Sequence, residues 1–126
     1  MIKDGDTYYA LASPAGRSAI SIIRISGPKS LTTLLNMSKH KTEYFIHRKS
    51  SVVDIYNENN GLIDNCVVVW YCAPNSFTGE DLVEIHTHGN PKITQNIYKE
   101  LDRLGLRLAE PGEFTRTAYL NNKLDL

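Results

Sequence analysis

Neither sign of charge is in excess in this 126-residue sequence, where fourteen Lys and Arg balance fourteen Asp and Glu. A protein whose main task is gripping phosphate backbones normally carries a strong basic excess, so that class is disfavoured. With 41% apolar residues and no net charge, intrinsic disorder is excluded as well. Long hydrophobic runs are also missing. The longest, Cys66 to Ala73, falls far short of the ~20 residues that a membrane helix needs. Met1-Ile2-Lys3-Asp4-Gly5-Asp6 has no apolar core of signal-peptide type behind it, which leads to the expectation of a cytoplasmic protein without membrane contact. Cysteine is scarce. Cys66 and Cys72 fall within one expected strand, about 20 Å apart at ~3.3 Å per residue, beyond disulfide reach. Both thiols are expected to be buried and reduced. A chain of this length matches the commonest domain size and can hold a core without disulfides or metal.

The residues that are present organise into mixed strands and helices. Thr7 to Ala12 is a short apolar stretch ending at the turn signal Ser13-Pro14-Ala15-Gly16. Ala19 to Ser26, rich in isoleucine, predicts a central strand, and Gly27-Pro28 opens a helix to about Met37 with Pro28 at its first position. Residues 41 to 56 alternate loosely and suggest two short strands, followed by a hairpin connection at Asn57 to Gly61. Leu62 to Cys72 reads as the longest strand, with Val67-Val68-Val69-Trp70 too apolar for an exposed sheet face. Asp81 to His88 alternates cleanly: Val83, Ile85 and Thr87 share one face, and Glu84, His86 and His88 the other. Pro91 starts a second helix, lined by Ile93, Ile97, Leu101 and Leu104 and stopped by Gly105. A short strand at Leu106 to Ala109 and a helix from about Thr115 to Asn121 complete an α+β fold, a mixed sheet packed with two to three helices. The apolar-periodic ending Lys123-Leu124-Asp125-Leu126, without a polar tail, suggests a piece of a longer protein.

Three features invite a chemical reading. Gly27-Pro28-Lys29-Ser30 between strand and helix has the outline of a phosphate loop. It lacks the upstream glycine, however, and Pro28 removes a backbone N–H, so a plain helix start is the better reading. Glu84, His86 and His88 form the donor set of a two-histidine, one-carboxylate metal site, against the simpler reading of a polar face turned to a cleft. Arg24 inside a buried strand needs a carboxylate or an anionic ligand. The internal candidates are Glu84 and Asp81. Lys123 taken alone is an ordinary surface lysine. No catalytic constellation stands out.

The blocks Ala12-Ser13-Pro14-Ala15-Gly16-Arg17, Ile22-Ile23-Arg24-Ile25-Ser26-Gly27 and Asn75-Ser76-Phe77-Thr78-Gly79-Glu80-Asp81 occur in order. Glu84-Ile85-His86-Thr87-His88-Gly89, Pro111-Gly112-Glu113-Phe114-Thr115 and Tyr119 to Leu126 follow them. Together they resemble the N-terminal domain of the tRNA modification GTPase family (MnmE, also called TrmE), over nearly the whole chain. Ser18 and Asn90 stand where glycines are common in that family, and Thr117 where arginine is expected. The resemblance implies that residues 1–126 are a tetrahydrofolate-binding and dimerisation domain, similar in fold to the folate-binding part of glycine-cleavage aminomethyltransferases. It further implies a parent protein with helical and GTPase domains. That parent, with an FAD-containing partner, would modify carbon 5 of the wobble uridine of certain tRNAs using a folate one-carbon unit. The cofactor implied is a 5-formyl or 5,10-methylene tetrahydrofolate, with potassium and magnesium needed only by the absent GTPase domain. Its contacts carry over onto Arg24, Glu84 and Lys123. One carboxylate can accept the forked amine and ring N–H of a pterin, the role that suits Glu84. The anionic glutamate tail needs a cation, a role open to Arg24 or Lys123. Exposed aromatics such as Tyr8, Tyr9 and Phe77 are candidate anchors for a homodimer. The other readings are a small metal-dependent enzyme using Glu84, His86 and His88, and a plain interaction domain.

Overall fold

Six strands and three helices form one α+β unit in the computed structural model, which describes residues 5–13 and 19–124. The expected turn from Pro14 to Gly16, with Arg17 and Ser18, lies outside the described residues. The strands are β1 (Tyr8–Leu11), β2 (Ile20–Ser26), β3 (Ser50–Tyr56), β4 (Leu62–Tyr71), β5 (Leu82–His88) and β6 (Arg107–Leu108). The helices are α1 (Ser30–Ser38), α2 (Pro91–Arg103) and α3 (Glu113–Leu120). The sheet order is β3-β4-β5-β2-β1-β6, antiparallel throughout except for the β1–β6 pair.

The period-two alternation of the strands divides the sheet into two unlike faces. Ile23 and Ile25, Val83 and Ile85, Val68 and Trp70, and Val53 and Ile55 are buried on one face. There they pack with Leu34 and Met37 of α1 and with Ile97 and Leu101 of α2 in a single core. On α2, Pro91 takes the first turn, the Asn90 side chain accepts the Lys92 N–H, and Gly105 follows the helix end at φ +91. Asn90 is therefore an extended N-cap, a position in which asparagine serves as well as glycine.

Four local readings are corrected. Residues 42–44 form a single 3-10 turn where two short strands were expected up to Tyr56, because only Phe45 of the Tyr44-Phe45-Ile46 trio reaches the core. Pro28 precedes α1, whose N-cap is Lys29. Cys66 is buried but Cys72 is exposed, and both are free; burial, with Asp64 and Asp54 nearby, pushes the Cys66 thiol up to about 12. Val67 is 38% exposed, since the β4 run faces the core only through Cys66, Val68 and Trp70.

Gly27 closes the phosphate-loop question. Its N–H donates to the Asp81 carbonyl at 2.9 Å and its φ is +130. A Cβ there would stand 2.7 Å from the Asp6 carbonyl oxygen and the Thr7 Cα. The turn packs on the start of β1, leaving no cradle for a phosphate. Gly27→Ala is expected to lower stability by at least about 2 kcal/mol, from strain at positive φ plus overpacking. An unchanged denaturation midpoint would contradict this account.

Candidate functional site

The second sheet face carries the chemistry. Antiparallel register sets Arg24 of β2 opposite Glu84 of β5, with Ala10 of β1 on one side and Val69 of β4 on the other. The Arg24 guanidinium donates to Glu84 Oε2 twice, from Nε at 3.1 Å and from Nη2 at 2.8 Å. Two residues on along β5, His86 lies on the same face, its Nε2 3.1 Å from Glu84 Oε1. Of the two internal partners open to Arg24, the fold selects Glu84. The pair is only partly shielded, with 27% of the Arg24 side chain and 15% of that of Glu84 exposed.

Two aromatic rings bracket the guanidinium. Arg24 Cζ lies 5.3 Å from the centre of Phe77 and 6.0 Å from that of Phe114, within cation–π range. Phe77 belongs to the loop before β5, and Phe114 to the first turn of α3. Hydrogen bonds between the loop, β1, β2 and α3 hold both in place. Ser26 Oγ meets Thr78 Oγ1 at 2.7 Å and donates to Glu80 Oε1 at 2.8 Å. Tyr8 Oη donates to Thr117 Oγ1 at 2.7 Å, and Asn121 Nδ2 to the Thr78 carbonyl at 2.8 Å. Burial pushes the Tyr8 phenol up to about 12, so it remains a donor at neutral pH. The Asn75-to-Asp81 block thus acts as a scaffold that sets Phe77 over Arg24, and Thr117 earns its place as the acceptor for Tyr8.

Lys123 is not bonded to this pair. It lies on the exposed turn after α3, its N–H bonded to the Ala118 carbonyl at 2.8 Å. Among the described residues its side chain has no hydrogen-bond or ion-pair partner. The fold therefore bonds Arg24 to Glu84 directly and leaves Lys123 an exposed cation just after α3. The metal donors do not converge. His86 bonds Glu84, whereas His88 turns to Asp64, with Nδ1 2.9 Å from Oδ1 and its N–H on Oδ2 at 2.9 Å. Among the described residues no group of three or more His, Cys, Asp or Glu side chains could hold a metal ion. Tyr8 and Tyr9 are buried, 3% and 2% exposed, and drop out as interface anchors; Phe77 remains, 42% exposed.

The sequence reading missed His86 as a partner of Glu84 and missed Phe114 altogether. The Glu84-x-His86 alternation did carry the first signal, since next-but-one residues of a strand share a face. Nothing local places Phe114 beside Arg24, because that contact depends on where α3 docks.

Chemically, the site offers a carboxylate with few acceptor positions left. Glu84 has about four lone-pair positions. Arg24 fills both on Oε2, and His86 occupies one on Oε1. A ligand presenting a forked pair of donors must displace one of these partners. A displaced Arg24 becomes a free cation bracketed by aromatic rings, ready for an anionic or planar group. Outward from the pair along β4 and β5, Ile20, Val52, Val67, His86 and His88 line an open hollow of about 290 Å³.

The chain matches the family described as GTP-binding protein TrmE N-terminus over residues 7–123. Its curated relatives carry the name tRNA modification GTPase MnmE. It is 43% identical over 121 residues to that of Phenylobacterium zucineum, 46% to that of Helicobacter acinonychis and 45% to that of Granulibacter bethesdensis. Each match covers 96% of this chain but only 26% or 27% of the relative. The chain thus spans about a quarter of the length of these relatives. No helix among the described residues is long and apolar enough to cross a membrane.

Proposed function

The chain belongs to the tRNA modification GTPase family as its N-terminal domain, and from that premise we propose that it binds a tetrahydrofolate one-carbon carrier and dimerises. The observation that carries the reading is the Arg24–Glu84 pair, partly exposed and flanked by Phe77 and Phe114. It is a site that can exchange an internal ion pair for a ligand. Glu84 accepts the pterin fork, Phe77 and Phe114 offer faces to planar rings, and Arg24 or Lys123 meets the anionic tail. In the longer protein, with an FAD-containing partner in the cytoplasm, the carbon unit would enter carbon 5 of the wobble uridine of tRNA. Calorimetric titration with 5-formyl-tetrahydrofolate tests the site. Saturable one-to-one binding is the expected result, and no heat at millimolar ligand would remove the reading.

The second part of the proposal is a homodimer. Ile20, Val52 and Val67, 56%, 58% and 38% exposed, leave the second face of the sheet apolar beyond the ion pair. Zero net charge raises no global repulsion against association. Sedimentation equilibrium should give a mass near twice the 14.2 kDa of one chain. Folate should tighten the dimer if the ligand lies against the interface. A monomer mass at every concentration, with and without folate, would rule this out.

A further inference from the structure

The chain is neutral only on average. Between α1 and β3, Lys39, Lys41, Arg48 and Lys49 stand against the single carboxylate of Glu43, so residues 39–49 are net positive and the remainder of the chain is net negative by the same amount. Lys41, Arg48 and Lys49 are exposed, and among the described residues none of the four has a carboxylate partner. By contrast Arg24, Arg103 and Arg107 are all ion-paired.

The fold lays this segment along β3, the edge strand of the sheet. Lys39 lies by the last residue of β3, its Nζ 4.1 Å from the centre of the Tyr56 ring. Tyr44 Oη donates to the Val52 carbonyl at 2.8 Å in mid-strand. Arg48 and Lys49 lead directly into Ser50. The cations thus run the length of a seven-residue strand, about 20 Å at ~3.3 Å per residue. Midway stands a stacked ring pair, half-buried His40 on exposed Tyr44, at 3.8 Å with the rings 9° apart. The stripe also reaches the strand beside the candidate site: the Arg48 N–H donates to the Trp70 carbonyl at 2.8 Å, and the preceding Val69 lies opposite Glu84.

We propose that the segment from Lys39 to Lys49 is an RNA-docking edge that receives the sugar–phosphate backbone of the tRNA beside the Arg24–Glu84 site. Cations spaced along an exposed edge suit a polyanion. A stacked aromatic pair among them suits an unpaired base, and the absence of carboxylate partners leaves the charges free to displace counterions. The inference rests on the tRNA-modification reading above, but uses none of its folate contacts.

The test compares two triple variants of equal charge. One is Lys41→Gln, Arg48→Gln and Lys49→Gln; the other is Lys29→Gln, Lys92→Gln and Lys99→Gln, exposed lysines of α2 and the start of α1. Fluorescence anisotropy with a labelled, unmodified tRNA transcript is recorded from low to moderate salt at one fixed pH of 7.5. The edge variant should lose about tenfold or more in affinity at low salt, with the log–log salt slope reduced by about 2. The control should lose under about threefold. Equal losses in both variants, or none in the edge variant, overturn the proposal. So does an edge variant that binds RNA normally but aggregates, since its cations would then serve to keep edge strands apart. Folate titration of the same samples separates this surface from the site. Wild type that binds folate without salt-dependent RNA binding overturns the edge alone, and wild type that binds RNA without folate overturns the folate reading alone.

Discussion

Glu84→Gln is expected to weaken folate binding by about 1.5–3 kcal/mol, roughly ten- to over a hundredfold, because it removes a charge-assisted acceptor from a partly shielded site. Lys123→Ala should cost about 1 kcal/mol or less, since Lys123 is an exposed charge with no partner to orient it. The difference follows from geometry. Glu84 is fixed by three hydrogen bonds, from both the Nε and Nη2 groups of Arg24 and at His86 Nε2, so the carboxylate is already aimed when the ligand arrives. Glutamine keeps the shape but gives up the charge and one acceptor oxygen, half of the carboxylate's roughly four lone-pair positions. It also weakens the hold on Arg24, leaving that guanidinium to the rings of Phe77 and Phe114. Titration calorimetry on both variants is the measurement. Equal losses would mean that the roles of carboxylate and lysine are wrongly divided, and full affinity in both would place the ligand elsewhere.

How much of this could be read from sequence depends on how local each signal is. The two faces of β5 were legible because alternation is a property of seven consecutive residues. The α2 stripe was legible for the same reason, with Pro91 and Gly105 marking its ends. Residues 42–46 were not, since three apolar residues in a row look like a strand until tertiary contacts decide. Phe45 enters the core, while the Tyr44 hydroxyl caps an edge carbonyl of β3. Tyr8 and Tyr9 show the same limit. Each is buried by a helix that comes much later in the chain, Tyr8 by Phe114 of α3 at 5.0 Å and Tyr9 by Tyr98 of α2 at 4.7 Å. At the candidate site, Arg24 announced itself as a buried cation, but its choice of Glu84 over Asp81 is a matter of strand register. Lys123 was legible only through the family blocks. It stands exposed after α3, where no local pattern marks it.

That docking has its own weak point, and replacing Arg107 by alanine should expose it. Arg107 of β6 donates Nη1 and Nη2 to the two oxygens of Glu113 at 2.8 and 2.7 Å, and Nε to Asp6 Oδ2 at 3.0 Å. Glu113, the first residue of α3, is 3% exposed and also accepts the Glu110 N–H at 2.9 Å. Burial alone would raise its carboxyl, but the Arg107 hydrogen bonds and the Glu110 N–H outweigh that and hold it below its ordinary value. A carboxylate lowered in the folded state stabilises fully above its unfolded value, near ~4.3, and loses that contribution as pH falls through the folded value. In wild type this contribution should therefore be lost only in acid. In Arg107→Ala, Glu113 stays buried without its counter-charge, which costs about 3 kcal/mol at pH 7 and on the order of 10 °C in Tm. Burial is then opposed only by the Glu110 N–H and the charge of Arg116, so the variant's carboxyl takes up a proton at higher pH than in wild type. The gap between the two proteins should accordingly narrow as pH is lowered from 7 to 4. Thermal melts across that range decide the matter, and a gap that is small or independent of pH would show that the pair does not secure α3. Phe114 follows Glu113 directly, so the same substitution should loosen the ring beside Arg24 and weaken folate binding without touching a ligand contact.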